Sequence, residues 1–205
     1  MQAAAQSGFR LGVKGGLNLN KVNGQSFNDA FDKHRKKFAV IRLNEKDIHN
    51  CVSYIRAVVK NEQNTTKLTQ NNQKYKDMFL NVCVVTAISN RIGYPIMDYK
   101  RINTDPIDQF RELVGKWFDV IVFNYNEFPI FYHPIHKKAI FVCKLSDKDF
   151  ILCGFGTNYV INSFHSKSLI ENYVIREQST MSAFYGFEHL KSIPNNIYDF
   201  KNLTQ

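Results

Sequence analysis

The chain reads as an α+β protein. A single domain is expected, with a mixed or antiparallel sheet of four to six strands, flanking helices, and a short strand-like segment in front. Three observations predict it. Apolar residues recur at helical spacing in two stretches, Ile48, Val52, Ile55, Val59 and Tyr75, Phe79, Val82, Val85. The block Trp117 to Leu145, WFDVIVFNYNEFPIFYHPIHKKAIFVCKL, breaks instead into three short runs rich in β-branched and aromatic residues, the composition of strands. With 205 residues, 44% hydrophobic and 22% charged, the chain can bury a sizeable core and is not of disordered composition.

Residues 1–32 differ from the rest, since five of the ten glycines fall within the first 24 positions. Phe9, Leu11 and Val13 alternate, Gly15-Gly16 interrupts, and Leu17 and Leu19 alternate with Asn, which is strand chemistry with a turn or bulge. Residues 5–26 resemble the first strand of Bacteroidetes-type outer-membrane β-barrel proteins, whose mature N-terminus carries similar GxKGGLN text. The remaining chain does not repeat the alternating ten-residue segments a barrel requires. The expectation is an N-terminal appendage over 1–32, a hairpin or a disordered leader left by a gene fusion.

From residue 35 to 195 the pattern is that of the α+β domain. Phe38 to Leu43 reads as a strand. Asn44 caps the next helix, with Asp47 three residues on as in a capping box. A polar Asn/Gln/Thr loop over 61–72 leads to a second helix, Gln73 to Arg91, stopped by Gly93 with Pro95 beyond. Asp105-Pro106 places an acid at the N-cap and proline at the first position of a third helix, whose face is Ile107, Phe110, Val114 and Trp117. The strand block follows, then a strand from Asp149 that ends in the glycines of Gly154-Phe-Gly-Thr157, read as a turn. A short helix around Ser166 to Tyr173 comes next, and 196–205 reads as an irregular tail.

Charge and cysteines narrow the function classes. Net charge is +9 with pI about 9.3, which suits a polyanionic partner and suits solubility equally. The basic clusters, Lys33-His34-Arg35-Lys36-Lys37 and His136-Lys137-Lys138, are short. Cys51, Cys83, Cys143 and Cys153 lie in apolar runs with no CxxC pair, which predicts buried free thiols in a reducing, cytoplasmic setting and disfavours a structural zinc site. No apolar run has the length of a transmembrane helix, and no secretory h-region is present.

Asp119 opens the first strand of the block, on the face of Ile121 and Phe123, and Lys144 closes the third. An aspartate, then a lysine at a strand end, in the order helix, four strands, helix over residues 105–173, resembles the core of the PD-(D/E)xK nuclease superfamily. The resemblance implies a Mg²⁺-dependent phosphodiesterase. Asp119 would bind Mg²⁺, and Lys144 would orient the attacking water. The acid two residues before the lysine is Val142 here, and a neutral side chain binds no Mg²⁺. Glu127 or Asp147 would have to serve as the substitute ligand, or be a loop acid facing water. The expectation is therefore association with DNA or RNA through a nuclease-like fold, as in phage or mobile-element metabolism, with catalysis weak or lost and Mg²⁺ bound only if the site is active. The alternative is a non-enzymatic interaction or structural protein. A third reading, a β-barrel relative, rests on the N-terminus alone.

Four smaller constellations each have a plain counterpart. His133-Pro-Ile-His136 is either a pair of metal ligands or a solvated hairpin. Cys143 or Cys153 with His165 or His189 is either a thiol nucleophile pair or core thiols. Gly154 to Thr157 is a turn rather than a phosphate loop. Phe184-Tyr185-Gly186-Phe187 is either a base-stacking platform or a C-terminal segment packed on the sheet.

Overall fold

The computed structural model describes residues 27–63, 72–170 and 180–204. Helix α1 (Phe27–Phe31) leads through a 3₁₀ turn (Asp32–Lys37) into strand β1 (Ala39–Arg42). Helices α2 (Glu45–Gln63), α3 (Asn72–Ile92) and α4 (Pro106–Val114) follow. Strands β2 (Phe118–Asn124), β3 (Ile130–Tyr132), β4 (Lys138–Lys144) and β5 (Asp149–Gly156) come next. The chain ends with α5 (Asn158–Ser163), β6 (His165–Ser166), β7 (Met181–Phe184) and α6 (Ile197–Thr204).

The strands form a mixed four-stranded sheet in the order β1-β5-β4-β2 and a separate three-stranded sheet in the order β3-β7-β6. In the larger sheet β2 and β4 are parallel, and the other pairs are antiparallel. The block Trp117 to Leu145 is therefore not a local meander. Its middle strand, β3, leaves to pair with β7, and the return lays β4 beside β2 in the same direction. The order is open, with β1 and β2 at its edges, so the described residues form no closed barrel. The barrel-like text of residues 5–26 lies outside the described residues.

Alternation along the strands sorts side chains into two cores. Phe118, Val120, Ile140, Val142, Phe150 and Leu152 face the helices. Ile121, Phe123, Ala139, Phe141, Cys143, Ile151 and Cys153 face the second sheet. The register slips between Phe141 and Val142, which leaves Cys153 as the extra residue of a β-bulge. The slip reverses the alternation. Phe155 accordingly turns to the helix side, where its ring stacks on Phe118 at 5.4 Å. Gly154, at φ +140°, sits inside β5 rather than in a turn. A Cβ there would stand 2.6 Å from the Lys191 carbonyl oxygen, and the Phe155–Lys191 bridge needs that approach.

The helical caps follow their sequence signals. The Asn44 amide donates to Asp47 Oδ2 at 3.1 Å, and the Asp47 amide donates to Asn44 Oδ1 at 2.9 Å, a reciprocal box. Asp105 accepts from the Ile107 amide at 2.8 Å ahead of Pro106. Gly93 takes φ +63° just after α3. Helix α3 departs from the one-face expectation. Every residue from Leu80 to Ile88 is buried, because α2, α4 and the sheet surround it.

Three expectations are corrected. Residues 27–31 are a helix of the domain rather than part of an appendage, since Phe27 and Phe31 are buried in the aromatic core. Residues 197–204 are helix α6 rather than an irregular tail, with Phe200 fully buried near Phe110. The short helix expected at Ser166 to Tyr173 stands earlier, as α5, capped by Thr157 accepting from the Val160 amide at 3.3 Å. Positions 167–169 make a 3₁₀ turn, and 171–173 lie outside the described residues.

Candidate functional site

Asp119 and Lys144 do not meet. In the parallel β2–β4 pair Asp119 lies beside Ala139, and Lys144, five residues further along β4, lies beside Asn124. At about 3.3 Å per residue the two positions are about 16 Å apart along the sheet. Glu127 and Asp147 belong to the Lys144 end. Asn124 donates to Glu127 at 3.0 Å, and Lys144 pairs with Asp147 at 2.7 Å. Lys144 thus has an acid beside it, but Asp147 is three-quarters exposed and the pair is a solvated turn contact.

Asp119 has a structural task. Arg111 Nη2 donates to Asp119 Oδ1 at 2.8 Å, and Lys137 Nζ lies 4.0 Å from Oδ2. Arg111 also donates to the Phe118 carbonyl at 3.2 Å and to Asp108 at 2.8 Å, so one guanidinium ties α4 to the start of β2. Two carboxylates on one Mg²⁺ must come within about 4 Å of each other, given metal–oxygen distances of about 2.1 Å. Asp119 and Asp147 stand at opposite ends of the sheet and cannot share the ion. Among the described residues no group of three or more His, Cys, Asp or Glu side chains is gathered to hold a metal.

The cysteines are core thiols. Burial pushes the Cys143 thiol up to about 12 and raises Cys153 well above its ordinary value. Cys51 and Cys83 face each other between α2 and α3, and their mutual hydrogen bond together with burial holds Cys83 in its neutral form. The histidines considered with them have other partners. His189 stacks on Phe164 at 3.8 Å, and His165 Nδ1 meets Ser182 Oγ at 2.7 Å. His133 stacks on His165 at 3.9 Å while His136 is exposed, so the two histidines of the HPIH run have different surroundings. Burial first, then the charges of His133 and Lys167, hold His165 below its ordinary value. Ser182 is fully buried, which closes it to any substrate. Phe184 and Phe187 are core residues, as the packing alternative for that segment expects.

Among the described residues two cationic surfaces stand out. The first is the 3₁₀ turn Asp32–Lys37, in which Lys33, Arg35, Lys36 and Lys37 are all exposed. Buried Phe31 and Phe38 clamp its two ends, and Arg35 lies over the Tyr125 ring at 5.7 Å. Its one acid, Asp32, accepts from the Tyr125 hydroxyl at 3.3 Å. The second surface is the corner between α4 and β2. Gly115 takes φ +96° as the α4 cap, and the Phe118 amide donates back to the Gly115 carbonyl at 3.3 Å. That tight turn puts Lys116 and Trp117 at its two central positions. Trp117 is 72% exposed. In sequence it reads as the last apolar residue of the third helix, but that helix ends at Val114. Only the glycine before it hints at the change of direction.

No helix among the described residues is long and apolar enough to cross a membrane. Comparison with protein-family models, with curated proteins and with solved structures returned no match.

Proposed function

We propose that this domain binds nucleic acid through the cationic turn Lys33–Lys37 and that the Asp119–Lys144 pair does not cleave it. The carrying observation is the turn itself. Four exposed cations stand within five residues on a backbone fixed at both ends by buried phenylalanines. A backbone fixed in this way loses little of its own freedom on meeting a row of phosphates, and each phosphate neutralised releases a counterion. The overall charge of +9 acts in the same direction at longer range. The separation of Asp119 from Lys144 supports binding over cleavage at those residues.

The test is retention of a labelled oligonucleotide as a function of salt. Four phosphate contacts predict a log–log slope of about −3 to −4. Replacing Lys33, Arg35, Lys36 and Lys37 with Gln should remove that contribution to the slope without altering the circular dichroism. Binding that ignores salt would remove the proposal. So would Mg²⁺-dependent cutting lost in both Asp119→Ala and Lys144→Ala.

A further inference from the structure

We propose that the corner formed by Lys116, Trp117, Lys137 and Lys138 takes an unpaired base of a single-stranded nucleic acid, with the Trp117 indole as the stacking surface. This rests on the nucleic-acid reading of the Lys33–Lys37 turn, and it names the class of strand that reading leaves open.

The geometry of the corner carries the inference. Large apolar side chains this exposed are normally scattered singly and mean little. Trp117 differs because its backbone is held at two points. The Gly115–Phe118 turn fixes its direction, and the Lys138 amide donates to the Trp117 carbonyl at 2.9 Å, tying the turn to the start of β4. The parallel pairing begins at Phe118 and Lys138, so Trp117 and Lys137 are the residues just before it on the two strands. Lys138 is braced over the Phe118 ring at 5.7 Å and donates to the Thr204 carbonyl at 3.3 Å. Arg111 bonds both Asp108 and Asp119, and Lys137 also lies 4.0 Å from Asp119. Arg111, Lys116, Lys137 and Lys138 thus outnumber the two acids, which leaves the corner net positive around an exposed indole.

Those parts match one chemistry. A base offers a π-face for the indole, and its flanking phosphates offer charge to the lysines. In a duplex both faces of each base are already covered by neighbouring pairs, so the indole has nothing to stack on except at an end. Duplex is thus left with the lysines alone.

Trp117 is the single tryptophan of the chain, so its emission reports this corner and no other. The experiment titrates the full chain with end-labelled oligo-dT and with a duplex of equal length, following indole emission and label anisotropy together. The expected result is quenching by the single strand and little by the duplex. Trp117→Ala should lose about ten-fold in single-strand affinity, within the range of one base–aromatic stack. Its duplex affinity should be unchanged, and Trp117→Phe should keep most of the single-strand affinity. Salt-sensitive anisotropy with unquenched emission and no effect of Trp117→Ala would overturn the inference while leaving the nucleic-acid reading standing. No anisotropy change with either oligonucleotide would end both. Emission that shifts with protein concentration alone would show the indole covered by a second copy, and that too would overturn it.

Discussion

The two faces of the four-stranded sheet are covered by different chemistry drawn from different distances along the chain. On the helix face the core is largely aliphatic, with Val82, Val84, Val85, Ile88, Val120, Ile140 and Val142 around a fully enclosed α3. Its helices come in one continuous stretch of sequence apart from α6. On the other face nine phenylalanines gather, Phe27, Phe31, Phe38, Phe123, Phe128, Phe131, Phe141, Phe184 and Phe187. These come from six separate pieces of chain, none of them a long helix. The difference shows how short elements are made to stick. A five-residue helix such as α1 has almost no stability of its own. Phe27 and Phe31, stacked at 4.8 Å, each bury a large ring against several others, and that burial is what places the helix.

If that reading of the two faces is right, a large-to-small change should hurt the aromatic face most. Phe187 contacts Phe27, Phe31, Phe38, Phe123 and Phe184. Phe187→Ala is expected to cost about 3–5 kcal/mol in urea unfolding, against about 0.5–1.5 kcal/mol for Ile140→Val on the helix face. Equal small costs at both positions would break the comparison. Gly154 joins the faces, because the bulge beside it sends Phe155 to the helix side. Gly154→Ala meets both a positive φ and the Lys191 carbonyl, and should cost about 1–3 kcal/mol. An unchanged melting temperature would mean that the Lys191 segment gives way.

The smallest expected effect is one of pH. His165 lies at the rim of the aromatic layer with a lowered pKa, so the folded state prefers the neutral ring. The unfolded chain binds the proton more readily. Stability contributed by the neutral ring is therefore full above the ordinary value of 6.5 and declines as pH falls through it towards the lower folded value. Urea midpoints compared at neutral and mildly acidic pH should show that decline in the wild type and a shallower one in His165→Gln. Identical declines would assign the effect to another group.

The same division governs what could be read in the sequence. The helix face was legible, because its signals are local: the Asn44–Asp47 box, Asp105 before Pro106, Gly93 after Ile92, and a stripe at 3.6 spacing. The aromatic face was not. Alternation marks β3 as a strand but carries nothing about its partner, and β7 lies some fifty positions later. The distance between Asp119 and Lys144 has a different origin. Asp119 opens β2 and Lys144 closes β4, and the first and third strands of an up-down-up run point the same way, so those two ends lie apart whether or not β3 stays between them. Trp117 continues an apolar helical spacing in the sequence, and a single glycine at positive φ, Gly115, redirects it to the surface.

The contact between Phe31 and Phe187, at 5.1 Å, also bears on how the protein is made. The two residues come from opposite ends of the domain, and Phe27 and Phe38 depend on the same partner. During synthesis the first helix and strand leave the ribosome long before Phe187 exists, so their aromatic rings have no finished surface to close on. Contacts of such long sequence separation slow folding, and until the last segment arrives the nascent chain presents a patch of exposed phenylalanine. A ribosome stalled short of that segment would therefore release the kind of chain that holdase chaperones capture.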